Sequence, residues 1–493
     1  MSEYLGDLQL TNWLFQRGLS ALYLVAFLVA LDQFPALLGE KGLLPAAEFL
    51  TKAPFTKTPS IFHLYYSDRF FKAIALCGTA LALAILTGVP DHLPWWLSLV
   101  MWLLTWVLYL SIVNIGQKFY AFGWESMLLE AGFFAAFMGP ASMVTPAAPF
   151  VILRWMLFRV ELGSGLIKLR HDKCWRDLTC LYYHYETQPL PNPVSWYFHR
   201  LPKPMHRFGV LFSHFVQVIM PWGLFAPQPI AACAGVMIIG HQLLLIVSGN
   251  YSWLNWLTVC LGITAFNDAI IGIIVPWSMT TDSVAYPPFY DRAMDMLLGV
   301  TLVLSIQPTL NLFSRNQLMN FCYNPLHLVN TYGAFGSMSR QRYEVVIEGT
   351  DEAQPGPDTQ WKEYEFKAKP GDVRRRPPQV APYHLRLDWL MWFIPFSVTV
   401  AGKRVVSHGF DLWFLRFLQK LLQGDGKTLR LLRSNPYPNG PPTFIRARYY
   451  LYQYTSWQEK RQTGAWWKRT LLGDYLPPVR LSDIDTALAR ESV

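Results

Sequence analysis

Arg154, Glu161 and Lys168 stand seven residues apart in a stretch that is otherwise largely apolar. Two turns of α-helix rotate through about 700° and rise about 10.5 Å, so a helix here places all three on one stripe. A charge inside a membrane helix costs about 2.5–3.5 kcal/mol on insertion scales, so the stripe must face protein or water rather than lipid. Two chemistries fit. In one, a desolvated Lys168 in a polar cavity serves as a catalytic base or holds an anion, because burial lowers the proton affinity of an amine. In the other, the stripe belongs to an ion-pair network that fixes helix packing, with Glu125 or Glu130 as partners. Arg159 joins the same intramembrane polar set, and Gly163 and Gly165 permit close helix approach beside it.

His214, His241 and Asp268 follow in three later apolar segments. A lone histidine in such a segment is more often a satisfied core residue than a ligand, and no HExxH pattern or Cys/His cluster with zinc spacing occurs, so no metal site is expected. The chain also lacks a P-loop, a GxGxxG after a strand and a GxSxG elbow, which leaves kinase, nicotinamide-dehydrogenase and hydrolase readings without support. No cofactor is expected, and a non-enzymatic role is favoured.

Of six cysteines, Cys77, Cys233 and Cys260 lie in apolar runs and are expected as packed thiols. Cys174 and Cys180 share a polar segment and could pair, although their separation is neither a metal-ligand nor a redox spacing. That segment, residues 172–202, is dense in hydrogen-bonding aromatics and prolines and includes Trp175, Arg176, Asp177, Tyr182, Tyr183, His184, Tyr185, Glu186, Gln188 and Asn192. It reads either as a surface for protein or lipid contact or as a rigid lid over a bundle mouth.

The elements that must carry these residues are set by hydropathy. Hydrophobic residues make up 52% of the 493, charged residues 15%, and there are 20 Trp. Soluble chains carry about 25% charged residues, and Trp gathers at membrane interfaces, so the balance points to lipid. A span needs about 20 apolar residues. Residues 73–89, 95–113 and 230–247 fit best, and 13–31, 122–138, 150–169, 210–225, 253–275 and 294–313 fit less well. The expectation is an α-helical polytopic membrane bundle of about nine spans over residues 1–313. Two long connections, 32–69 and 170–208, are too apolar for solvent loops and are expected as re-entrant or interfacial pieces, the second as a cap. No small-residue cleavage site follows the first apolar run, so the first membrane helix is expected to act as the targeting signal. The net charge of +9 is read as juxtamembrane Lys and Arg facing anionic lipid. No basic face interleaved with stacking aromatics occurs, so nucleic acid is not an expected partner.

After residue 313 the composition changes. Residues 342–348 and 361–367 alternate as half-buried strands, with a polar loop at 350–360 between them. Residues 411–423 read as a helix with Gly424 at its C-terminal end, and 443–454 as a last strand. Residues 314–493 are therefore expected as a soluble, mostly antiparallel β domain with a frayed charged tail at 481–493.

Several of these stretches resemble the lipase maturation factor family. They are Gly163-Ser164-Gly165-Leu166-Ile167-Lys168-Leu169, Cys174-Trp175-Arg176-Asp177-Leu178-Thr179-Cys180, and Tyr182-Tyr183-His184-Tyr185-Glu186-Thr187-Gln188-Pro189. Asn192-Pro193, Gly249-Asn250-Tyr251, the run from Asn324 to Gly333 and Arg342-Tyr343-Glu344 extend the likeness over nearly the whole chain. The resemblance implies a membrane-anchored folding and assembly factor with the bilayer and a secreted client protein, a lipase, as partners. It further implies a C-terminal domain on the lumenal or extracytoplasmic side. The location implied is the endoplasmic reticulum membrane in a eukaryote and the cytoplasmic membrane in a bacterium; with about nine spans the N-terminus is cytoplasmic. A fainter similarity runs to the membrane domain of vitamin K-dependent γ-carboxylase, through Gly165-Leu166-Ile167-Lys168-Leu169 and Trp175. It would put a catalytic lysine at Lys168, acting on a quinone-like or lipid substrate, although Ile167 stands where that enzyme has a second lysine.

Overall fold

The structure, a computed structural model, describes residues 5–275, 285–401 and 404–491. Among these described residues, five helices are long and apolar enough to cross a membrane: Gln9–Leu37, Asp68–Leu86, Trp95–Asn114, Ile230–Ser248 and Pro288–Phe313. A sixth span results if Leu254–Ile263 and Asp268–Ile274, bent by 114°, are taken together. The expected count of about nine is not confirmed, for three physical reasons. The segment at 122–138 forms only the 13-residue helix Gly123–Ala135. That at 150–169 forms the long helix Ala147–Arg170, but its charges exceed what a lipid-facing helix tolerates. That at 210–225 breaks where Lys203–His214 passes into a π-helical turn, Phe215–Ile219.

The termini of the helices are fixed by side chains. Ser67 accepts a hydrogen bond from Phe70 N (3.1 Å) at the start of Asp68–Leu86. Asp268 closes the start of the first helix: its carboxylate accepts from Leu10 N (3.0 Å), Thr11 N (2.9 Å) and Thr11 Oγ1 (2.9 Å). A carboxylate there satisfies orphan amides and opposes the positive end of the helix dipole. Around the outside, Leu76, Leu83, Leu104, Val236, Leu243 and Leu302 are exposed. Such a belt of apolar surface on long helices is what hydrocarbon covers. Cys77 and Cys233 are exposed rather than packed, and of the three expected core thiols only Cys260 is buried.

The C-terminal region is built on a four-stranded antiparallel sheet in the spatial order Lys362–Glu363, Arg342–Thr350, Phe444–Tyr454, Trp467–Val479. Arg342–Thr350 pairs along its whole length with Phe444–Tyr454, from Arg342 opposite Tyr452 to Thr350 opposite Phe444. The expected strand at 361–367 is split into two short pieces that join different sheets. Helix Leu412–Leu422 buries Trp413, Phe414, Phe417, Leu418 and Leu421. The tail is not frayed: Leu481–Glu491 is a helix that packs on Leu412–Leu422 and buries Ile484.

The second connection folds as four short helices, Lys173–Arg176, Leu181–Thr187, Ser195–His199 and Lys203–His214, which together form a cap between bundle and sheet.

Candidate functional site

The stripe on Ala147–Arg170 does face one side, but its partners are not Glu125 and Glu130. Arg154 donates to the carbonyls of Thr264 (2.7 Å) and Leu224 (3.3 Å). Glu161 accepts from Gln242 Nε2 (2.7 Å), whose Oε1 accepts from Asn255 Nδ2 (2.6 Å). Lys168 donates to Gln217 Oε1 and lies 5.2 Å from the centre of the Trp175 ring. Apart from Trp175, which belongs to the cap, these partners come from segments after it. The seven-residue spacing fixed the common face, while the amide and carbonyl partners carry no comparable sequence signal. Gly165 lets the π-helical turn approach: a Cβ there would meet Gln217 O at 3.0 Å and Val218 Cγ2 at 2.8 Å. Gly163 does the same for the backbone of Tyr332, whose carbonyl oxygen would lie 2.3 Å from an added Cβ.

The two expected acidic partners serve other arginines. Glu130 pairs with Arg159 across the helix interface, both fully buried. Its second oxygen accepts from Asn330 N (2.8 Å), Asn330 Nδ2 (3.0 Å) and Tyr332 Oη (2.8 Å). Glu125 pairs with Arg386 (2.8 Å), lies 3.9 Å from His384 Nδ1 and accepts from Tyr109 Oη. Arg386 sits over the Tyr120 ring at 3.4 Å. Sequence reasoning missed Arg386 and His384. Their one signal was a lone basic pair beside the apolar run that starts at Leu385.

The cap is a joint rather than a free surface. A disulfide closes Cys174 to Cys180. Trp175 Nε1 donates to Phe335 O (2.8 Å), and His214 Nε2 bonds Trp175 O (3.0 Å). Asp172 holds Arg340 (2.7 Å) and caps Cys174 N (3.0 Å). Tyr251 Oη bridges His184 Nε2 (2.8 Å) and Gln188. Asn192 Oδ1 accepts from Val194 N (3.0 Å) and Ser195 N (2.9 Å), and its Nδ2 donates to Val247 O (2.7 Å). Glu186 accepts from Tyr454 N (2.6 Å) in the sheet. Arg342, fully buried, donates to the carbonyls of Glu186 (3.2 Å), Gln188 and Pro189 (3.0 Å), and pairs with Glu344 (2.6 Å), which also holds Lys369 (2.7 Å). Trp196 Nε1 donates to Thr455 O (3.0 Å), and Arg200 donates to Tyr454 O (2.7 Å), the last carbonyl of strand Phe444–Tyr454, and to Thr455 O (2.5 Å). Of the expected cap residues, Tyr182 and Tyr183 are half-buried, Tyr185 is buried, and Arg176 and Asp177 are exposed. Asn250-Tyr251-Ser252 has the form of an N-glycosylation acceptor, but Asn250 is buried. It accepts from Val380 N (2.9 Å) and Ala381 N (3.0 Å), which leaves no room for a glycan.

Burial sets the protonation of the cap histidines. It holds His199 down at about 4, with Arg200 adding to the effect. It holds His184 at about 3, reinforced by Lys168. The carboxyl of Asp172 is held below its ordinary range by the Arg340 guanidinium and backbone amides, which outweigh its partial burial.

Beneath the cap, Lys168, Trp175, His184, His241 and Phe335 line a cavity of about 380 Å³ bounded outward by Met205, Phe208 and Leu244.

The arrangement matches a known family. A family model described as "Lipase maturation factor transmembrane domain" matches residues 10–273, and one described as "Lipase maturation factor C-terminal domain" matches 328–477. Lipase maturation factor 1 of Mus musculus is 40% identical over 524 residues, covering 97% of this chain and 88% of the mouse protein. The Homo sapiens counterpart is 39% identical, covering 97% and 89%. Lipase maturation factor 2 of Xenopus laevis is 28% identical, covering 99% and 85%. No solved structure matches. These likenesses lend no support to the carboxylase-like alternative. The first match contains most of the bundle helices and the cap, the second most of the sheet that the cap meets, and with near full-length identity they establish that this chain belongs to the lipase maturation factor family.

Proposed function

We propose that the chain is a membrane-anchored maturation factor for secreted lipases, acting from the side of the membrane on which the cap and the sheet lie. The observation that carries this reading is 40% identity to lipase maturation factor 1 across 97% of the chain. Two features support the orientation. The Cys174–Cys180 disulfide belongs to an oxidising compartment, hence to the endoplasmic reticulum lumen in a eukaryote or the periplasmic side of a bacterial cytoplasmic membrane. Helix Gln9–Leu37 ends near the C-terminal region, where Gln33 Nε2 donates to His384 O (2.7 Å), so its start lies on the opposite, cytoplasmic side. Arg200, one of the basic residues of the 170–208 connection that would oppose this orientation, is committed to the joint.

The domain division at residue 313 is part of the proposal, with one refinement. The region after it acts as a client-facing body clamped to the bundle through Arg342 and Arg386, rather than as a tethered module. The test is co-expression of the intact chain with a secreted lipase in cells lacking their own maturation factor. Secreted lipase activity should rise severalfold while an unrelated secreted enzyme stays constant. Unchanged lipase activity with the chain correctly inserted would end the reading.

A further inference from the structure

The cavity under the cap has the make-up of an amphiphile site. At its inner end lies Lys168, 4% exposed. An ammonium has three N–H donors. The described residues offer Lys168 one hydrogen-bond acceptor, Gln217 Oε1, plus the face of Trp175. Glu161 acts on it only through space, with no ion-pair contact among the described residues, and does not line the cavity. Two further polar atoms of the lining, His184 Nδ1 and His241 Nδ1, are buried with no hydrogen-bond partner among the described residues. Buried polar groups are ordinarily satisfied, so the spare donors of Lys168 at the inner end of the cavity point to a ligand that accepts from them.

The remaining wall is mostly apolar. Leu245 and Phe212 continue it outward, and Met205, Phe208 and Leu244 at its edge are 54%, 68% and 50% exposed. Leu244 belongs to a membrane-crossing candidate, so this edge opens toward lipid rather than water. The polar end lies under the cap, at the last turn of Ala147–Arg170. A volume of about 380 Å³ is at the small end of ligand pockets, which run from about 300 to about 1,000 Å³, and suits one acyl chain better than two.

We propose that this cavity binds a single-chain anionic amphiphile, a long-chain fatty carboxylate, entering from the membrane with its headgroup on Lys168 and its chain between Lys203–His214 and Ile230–Ser248. The carboxylate accepts from the Lys168 ammonium, and the chain replaces bilayer lipid along Phe208, Phe212 and Leu244. The site is one of binding and involves no bond making. It stands independently of the client reading: a maturation factor without it, or a lipid-binding protein without a lipase client, would each be detected separately.

The experiment uses the full-length chain purified in neutral detergent and a fluorescent long-chain fatty acid as probe, with oleate, oleyl alcohol, phosphatidylglycerol and inorganic phosphate as competitors. Oleate should displace the probe saturably. Oleyl alcohol should compete about tenfold or more weakly, because it lacks the charge-assisted hydrogen bond. Phosphatidylglycerol should compete weakly for lack of space, and phosphate not at all for lack of a chain. Lys168→Met should weaken probe binding at least tenfold. Leu244→Trp, a change on the lipid-facing edge that leaves the core intact, should do the same by filling the entrance. Equal competition by acid and alcohol, full binding by the folded Leu244→Trp variant, or no saturable binding to the wild type would each overturn the proposal. Competition led by phosphatidylglycerol would also overturn it, in favour of a diacyl lipid.

Discussion

At the scale of single residues, the bundle is organised by two buried carboxylates, each with an arginine from another element, Glu130 with Arg159 and Glu125 with Arg386. Glu125 and Arg386 are 261 positions apart and both fully buried. An ion pair of this kind contributes little net stability over an apolar pair, because desolvation offsets the attraction. Removing one partner is another matter, since it strands the other charge. Arg386→Met should therefore destabilise the detergent-solubilised protein by about 3–5 kcal/mol. Glu125→Gln combined with Arg386→Met should recover a large part of that loss. Thermal unfolding followed by the monodisperse fraction on size exclusion measures both. Equal instability of the single and double variants would mean that Arg386 acts through its packing on Tyr120 and not through its charge. The sequence pointed to Glu125 as one member of a buried pair but not to its partner. An arginine in a C-terminal segment gives no sign that it will be inserted between helices. Arg154, Glu161 and Lys168 were legible as a set because helical periodicity alone places them together. Gln217 and Gln242 were not, because a neutral amide in an apolar run costs too little to stand out.

At the scale of elements, the long uncharged helix Trp95–Asn114 and the strands Arg342–Thr350 and Phe444–Tyr454 could be read from periodicity. The strand Trp467–Val479 could not: its register shifts against its neighbour, and Pro477 and Pro478 near its end break the alternation. The terminal helix was hidden by its charges, because its core contact rests on few apolar residues such as Ile484. The approach of the π-helical turn to Ala147–Arg170 depends on Gly165. Gly165→Val should cost about 1–3 kcal/mol through overpacking and separate Gln217 from Lys168, with the shift in thermal midpoint as the measure. The cap should also respond to acid. His199 titrates near 6.5 when unfolded and near 4 in the folded cap, where it faces Glu186, Arg200, His206 and Tyr454. A depressed histidine leaves the unfolded state holding more protons between those values. Its neutral burial therefore stabilises the cap fully above pH 6.5, and that contribution, roughly 3 kcal/mol, is lost as pH falls toward 4. Burial raises the Glu186 carboxyl above its ordinary range, so that group acts in the opposite sense. Hydrogen exchange in Leu181–Thr187 should accelerate from pH 6.5 to 4 after correction for intrinsic rates. Flat protection over that range would show that the histidines are already solvated.

At the scale of the whole molecule, the bundle and the sheet do not behave as an anchor and a passenger. Asn330 and Tyr332 satisfy Glu130, Arg386 neutralises Glu125, and Arg342 fixes the cap's carbonyls from the first strand. A chain ending at residue 329 would keep the membrane-crossing helices of the N-terminal region, which is enough for insertion because insertion follows hydropathy. Packing is a separate matter. Truncation leaves Glu125 buried without its arginine and removes three of the hydrogen bonds to Glu130. Each stranded group costs about 1–3 kcal/mol, and more where it is charged, against a total stability of about 5–15 kcal/mol for a typical domain. The truncated chain should therefore reach the membrane but extract as an aggregated, protease-sensitive species. Adding Glu125→Gln should partly restore a monodisperse bundle by removing the unpaired charge, whereas Glu130 keeps Arg159 and is left in place. Limited trypsinolysis and size exclusion of the three chains, intact, truncated and truncated with the glutamine, distinguish the outcomes. If the simple truncation is as compact and resistant as the intact bundle, the buried arginines fasten the C-terminal region without being required by the helices beneath it.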